Sequence, residues 1–223
     1  MAYFRIFHFW DNRKEVLKLK QTKLWINGEW KQANNTYELK APYTGEIIAQ
    51  VGKATVQDVE RAIEGAHEAY LKFKAVPAYE RAEILYKVVE IMRKRKDEFA
   101  ALLADEAGKP ITAGLVELDR TIATYQFAAE AAKQSMGETV PMDAAPGITD
   151  RIGFTKRVPL GVVSAITPFN FPFNLVAHKL GPAFAAGNAV VLKPATQTPL
   201  SALAMAEIFK EAGLPDGVLQ IVT

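Results

Sequence analysis

From Leu24 onward the chain moves from short apolar arms to a helical period and then back to strand-like runs. In "LWINGEW", Leu24 to Trp30, Asn27-Gly28 sits between two apolar arms, the signature of a two-residue hairpin. "EIIAQVGKA" reads as a strand closed by Gly52. Thr55 and Asp58 have capping-box spacing, and a helical pattern runs from Val56 to about Lys74. Pro77 breaks it. A second helix from about Tyr79 carries Ala82, Leu85, Val88, Val89 and Met92 on one face and, with any continuation, ends near Gly108. Pro110 opens a third helix expected to reach about Gly137, and "PMDAAPG" follows as a loop.

The period then shortens. "RIGFTKRV" alternates like a strand until Pro159. "GVVSAI", "AVVL" and "GVLQIV" are short β-branched runs of the kind buried in parallel sheets. Between them lie "NLVAHKLGPAFAAG", which has Pro182 inside it and Gly187-Asn188 as its stop, and "PLSALAMAEIFKEAG", stopped by Gly213. This strand–helix alternation predicts an α/β protein, half of a doubly wound parallel sheet preceded by a helical region.

Composition narrows the chemistry. The 223 residues are 49% hydrophobic and 23% charged with net charge +2, ordinary for a chain long enough to bury a core. That balance offers nucleic acid no electrostatic footprint. The basic run Arg93 to Lys96, followed by Asp97 and Glu98, reads as a solvated helix face. The absence of cysteine excludes a disulfide, a thiolate metal site and a catalytic thiol within these residues. His8, His67 and His178 lack metal-ligand spacing, so no zinc site is expected. No apolar stretch of about 18 residues predicts a membrane span. "MAYFRIFHFWDNRK" is interrupted by Arg5 and His8 and lacks a small-residue cleavage site. No signal peptide is therefore expected, and the location is expected to be cytoplasmic.

In an open parallel sheet, ligands collect beyond the carboxyl ends of the strands. Asn170 follows the first parallel strand and Lys193 the second, so both are expected at one sheet edge. "TPFNFPFN" is not glycine-rich and cannot seat a pyrophosphate in the usual Rossmann manner, and there is no P-loop. Ser135, Ser164 and Ser201 lie outside any nucleophile elbow. On residue type alone, capping the next helix is the commoner use of an asparagine like Asn170, and Asn174 offers the same chemistry. His178 is expected on a helix surface or in packing, and Trp25 and Trp30 in packing of the hairpin.

"GVVSAITPFNFPFNLVAHKLGPAFAAGNAVVLKPATQTPLSALAMAEIFKEAGLPDGVLQIVT", together with "LWINGEW", "DEAGKP" and Glu117 upstream, resembles the NAD(P)-dependent aldehyde dehydrogenase superfamily over about residues 23 to 223. The resemblance implies an N-terminal extension (1–22), a hairpin and helices of the cofactor-binding domain (23–140), bridging strands for subunit association (141–160) and the first part of a Rossmann-like core (161–223). Asn170 resembles the side-chain donor of the oxyanion hole, worth about 3 kcal/mol of transition-state stabilisation. Lys193 resembles the lysine that binds the adenosine ribose hydroxyls or a 2′-phosphate. Ile166, Thr167, Pro168 and Phe169 resemble the segment along the cofactor, and Lys179 a lysine near the proton relay. NAD-preferring relatives carry a glutamate where this chain has Thr196, so NADP is expected to be tolerated, and the cofactor is NAD or NADP. Arg120 falls in a region that lines the aldehyde entrance in the family and would suit an anionic aldehyde. Its other reading is a surface arginine paired with Asp119 or Glu117.

In the family a cysteine thiolate attacks the aldehyde and a glutamate activates water. Both are expected beyond Thr223, so the chain is expected to be an inactive N-terminal portion of an aldehyde dehydrogenase. The alternatives are a non-catalytic remnant, binding nucleotide or a subunit, and an acylating or semialdehyde-type relative. "VLQIV" is expected to form an exposed apolar edge strand, and the complete protein to be a homo-oligomer.

Overall fold

The computed structural model describes residues 20–147 and 149–223. The extension assigned to residues 1–22 therefore lies outside the described residues, apart from its last three positions. Two of these, Lys20–Gln21 (β1), pair in parallel with Ile47–Lys53 (β5), whose other edge pairs with Asn35–Lys40 (β4), a strand the sequence pattern did not reveal.

The hairpin forms as expected from Leu24–Ile26 (β2) and Glu29–Lys31 (β3), with φ of 55° at Asn27 and 79° at Gly28. Two successive positive values are what a type I′ turn needs, and Asn-Gly tolerates them. Trp25 is buried and meets Trp30 edge-on at 4.9 Å, as packing of the hairpin requires.

Four helices follow. Val56–Phe73 (α1) starts from the expected capping box, with Thr55 and Asp58 exchanging side-chain and backbone bonds. Ala78–Lys94 (α2) and Lys96–Ala107 (α3) are separated by a break at Arg95, and Gly108 closes α3 at φ 65°. The break divides the basic run: Arg95 pairs with Glu98 and Lys96 with Asp119. Ile111–Ala132 (α4) ends before Gly137, short of the expected limit. The chain there turns to pair Thr139–Val140 (β6) with Gly153–Phe154 (β7), and Glu138 exchanges two bonds with Thr155. Gly137 passes so close to Thr155 that a β-carbon would overlap its carbonyl. "RIGFTKRV" thus supplies only two strand residues, because its partner strand is equally short.

The core sheet has the order β3-β2-β10-β9-β8. Val162–Ile166 (β8), Ala189–Lys193 (β9) and Leu219–Ile221 (β10) run parallel, connected through Asn174–Ala185 (α5) and Pro199–Glu211 (α6). An edge-on aromatic cluster fills the helical layer: Phe184 meets Phe209 at 5.0 Å and Phe73 at 6.5 Å, and Phe209 meets Tyr125 at 5.7 Å. One expectation is corrected. "VLQIV" is not an exposed edge, since β2 pairs antiparallel with β10 and buries it. Among the described residues the open edge of the parallel strands is β8.

Candidate functional site

The parallel register sets Ile166 level with Lys193, and the Thr167 amide donates to the Lys193 carbonyl at 3.3 Å. The ends of β8 and β9 therefore meet at one sheet edge, as the strand pattern required. Lys193 is the last residue of β9 itself. Its Nζ donates to the Pro194 carbonyl at 2.8 Å and to Thr196 Oγ1 at 3.3 Å. No carboxylate pairs with it among the described residues. Thr196 is exposed, and its carbonyl accepts from Tyr37 Oη at 3.0 Å.

Ile166 is 71% exposed and Phe169 55%, while Thr167 is buried between them and Pro168 is exposed. Asn170 is exposed and its carboxamide has no hydrogen-bond partner among the described residues. It does not cap α5, and neither does Asn174. Asn174 is the first residue of that helix, and its Oδ1 accepts instead from Thr124 Oγ1 at 3.3 Å.

The cap comes from elsewhere. Glu117, fully buried on α4, accepts the Phe173 amide at 2.9 Å and the Asn174 amide at 3.3 Å through one oxygen, and its other oxygen pairs with Lys109. The Lys109 ammonium also lies 4.2 Å from the centroid of the Phe171 ring. Backbone amides at a helix start lack intrahelical acceptors and carry partial positive charge, so a carboxylate there is favourable.

Glu106, at the end of α3, does the same for α6. It accepts Ser201 N at 3.0 Å, Ser201 Oγ at 2.5 Å and the Leu200 amide. The usual capping residue, Thr198, is buried, and its hydroxyl has no partner among the described residues. Burial pushes the Glu106 carboxyl up to about 7, against the three donors, which favour its charged form. Burial and the Glu106 charge raise the Tyr37 phenol to about 12. With both helix starts occupied by carboxylates, neither is free to receive a phosphate. Lys193 is a cation at the carboxyl edge of this sheet.

The aldehyde dehydrogenase family profile matches residues 30–223. The chain belongs to the aldehyde dehydrogenase family. It is 49% identical over 208 residues to 3-sulfolactaldehyde dehydrogenase of Priestia megaterium, covering 93% of this chain and 43% of that protein. The crystal structure of aldehyde dehydrogenase 21 from Physcomitrella patens with the reaction product succinate superposes with a TM-score of 0.88 at 38% identity, covering 92% of this chain and 43% of that one. NADP-dependent glyceraldehyde-3-phosphate dehydrogenase from Bacillus halodurans, complexed with NADP, gives 0.88 at 36% identity, over 91% and 43%. The chain thus spans less than half the length of these relatives, and its α/β fold is that of the family's N-terminal portion.

Arg120 is exposed on α4 and makes no ion pair among the described residues; Asp119 pairs with Lys96 and Glu117 with Lys109. The alternative in which either carboxylate held Arg120 is therefore not realised. Arg120 stands one turn before Thr124, the residue that touches Asn174. Lys179 and His178 are exposed on α5, and no bond joins Lys179 to Asn170, Lys193 or Thr196. Sequence reasoning gave no role to Glu106, Lys109 or Tyr37, and took Glu117 only as a matching acid and an alternative partner for Arg120. The signal was present: Glu106 shares a helical face with Phe99 and Leu103, and Glu117 with Gly114, Leu118 and Thr121, all buried. An acid in register with an apolar face requires a partner.

Proposed function

We propose that the chain is the nucleotide-binding N-terminal portion of an enzyme that oxidises a small aldehyde to a carboxylic acid with NAD or NADP. The observation that carries this is at the carboxyl edge of the parallel strands: Lys193, beside Thr196 at the end of β9, has no carboxylate partner among the described residues, and Asn170, four residues beyond β8, has a carboxamide with no hydrogen-bond partner among them. The donor set fits the adenosine end of a nicotinamide dinucleotide. Lys193 and Thr196 would hold the ribose hydroxyls or a 2′-phosphate, since Thr196 itself carries no charge to repel it. Ile166, Thr167, Pro168 and Phe169 would flank the cofactor, offering exposed apolar surface at Ile166 and Phe169.

The bound nucleotide supplies the hydride acceptor. Asn170 would donate its carboxamide N–H to the oxygen that gains negative charge as the aldehyde carbon is attacked. The thiol nucleophile is not among these 223 residues, so the chain alone is expected to turn over no aldehyde. In this reading residues 161–223 are the first part of the nucleotide core, 141–160 the bridging segment, 23–140 the hairpin and helical region and 1–22 an extension. Lys179, exposed on α5, would lie near the proton relay.

Calorimetric titration of the chain with NADP tests the reading. A dissociation constant of about 1 mM or tighter is expected, weakened roughly tenfold by Lys193→Ala. A wild-type chain that binds no nucleotide would sink it.

For the substrate we favour a small anionic aldehyde. Arg120 is exposed without a carboxylate partner among the described residues, and the relatives' names include a sulfonated and a phosphorylated aldehyde. In a complete enzyme, Arg120→Ala should raise KM for an anionic aldehyde about tenfold and leave a neutral one unchanged. Equal effects on both would discard the assignment. The exposed apolar residues Ile152, Phe154, Val158 and Leu160 support homo-oligomerisation through the bridging segment. A strictly monomeric species in sedimentation would contradict it.

A further inference from the structure

The loop between β9 and α6 carries Lys193 and Thr196, yet little of what fixes it comes from the loop itself. Its one internal backbone bond runs from the Thr198 amide to the Ala195 carbonyl at 3.1 Å. Thr198, at the capping position, leaves its hydroxyl without a partner among the described residues. Two side chains distant in sequence hold the loop instead. At its C-terminal end, buried Glu106 accepts three donors from Leu200 and Ser201. At its middle, Tyr37 Oη on β4 donates to the Thr196 carbonyl at 3.0 Å. These anchors leave the Thr196 hydroxyl facing the Lys193 ammonium at 3.3 Å.

We propose that Glu106 and Tyr37 are positioning residues that hold Lys193 and Thr196 at the spacing that distinguishes a 2′-phosphate from a 2′-hydroxyl on bound adenosine. The inference rests on the nucleotide-binding reading above. An ammonium rewards a phosphate only when it is held at charge-assisted hydrogen-bond distance, and a partner hydroxyl adds to this only if its backbone is fixed. Glu106→Gln keeps one acceptor oxygen but sets an NH₂ group among three donors, so the start of α6 loses a bond. Tyr37→Phe removes only the hydroxyl from the Thr196 carbonyl. Neither residue is a ligand in this scheme, so the effect should fall on discrimination between nucleotides, with the shared adenosine contacts spared.

The test is calorimetric titration of the 223-residue chain with adenosine 2′,5′-bisphosphate and with 5′-AMP. Wild type is expected to prefer the bisphosphate roughly tenfold, and Glu106→Gln and Tyr37→Phe to reduce the preference to about threefold or less. Binding of 5′-AMP should change less than about twofold in either variant, and Lys193→Ala should abolish the preference. Wild type that binds neither nucleotide overturns the nucleotide reading, and this inference with it. Wild type that binds both while both folded variants keep the full preference overturns the positioning role alone. Equal weakening of both ligands in the variants also overturns it, since a merely structural role would act that way. Circular dichroism establishes that the variants are folded. Should Glu106→Gln fail that check, Tyr37→Phe decides by the same ratio.

Discussion

Replacement of Glu117 by alanine is expected to destabilise the chain by about 3–5 kcal/mol in urea unfolding, a large share of the roughly 5–15 kcal/mol typical of a domain. The side chain is fully buried and has three partners: the Lys109 ammonium and the amides of Phe173 and Asn174. Truncation leaves all three without their acceptor. A lysine side chain only 19% exposed has little water to turn to, and the two amides lose the group that satisfied the start of α5. Glu117→Gln should cost about half as much, because an amide oxygen still accepts an N–H while Lys109 loses its counter-charge. The pair Glu117→Gln with Lys109→Met should recover part of that loss, since removing both charges is far less damaging than stranding one. A loss below about 1 kcal/mol for the alanine variant would show that the buried pair does not hold the start of α5.

Much of this architecture was legible in the chain, for identifiable reasons. The hairpin was readable because Asn-Gly supports two positive φ values, and α1 because Thr55 and Asp58 form a complete capping box. That the carboxyl ends of the first two parallel strands lie at one edge followed from their consecutive order, and the register of Ile166 with Lys193 shows it. What escaped depends on partners far apart in sequence. β4 was not readable because "NTYELK" alternates weakly and only one of its six residues, Leu39, is buried. The covering of β10 by β2 joins residues almost the whole described chain apart, a pairing that no local period encodes. The capping of α5 and α6 by Glu117 and Glu106 spans 56 and 95 residues between partners. A scan for local caps therefore selected Asn170 and Asn174 and could not see the carboxylates that do the capping.

Stability should fall as the pH rises from about 4.5 to about 7, and Glu106 should be the cause. Its carboxyl has an ordinary value of 4.5 and is raised to about 7 in the folded chain. Between those limits the folded state keeps a proton that the unfolded state releases, so higher pH favours unfolding. The stabilisation is fully present below the unfolded value, declines through the window and is gone once pH passes the folded value. Its span is about 3 kcal/mol. Glu106→Gln carries no titrating proton there, so the difference in unfolding free energy between wild type and variant should have this slope between pH 5 and 7 and level off above. Tyr37, which faces the same loop, titrates far higher, at about 12, and does not enter the window. Asp58 acts with the opposite sign at the acid end: the Thr55 donors lower its carboxyl below 3.8, so its contribution is lost as pH falls. These two groups together favour the folded chain most at the lower edge of the window, about pH 4 to 4.5. A wild-type-minus-variant difference that stays flat across pH 5 to 7 would mean that the three donors from Leu200 and Ser201 outweigh burial and keep Glu106 ionised throughout.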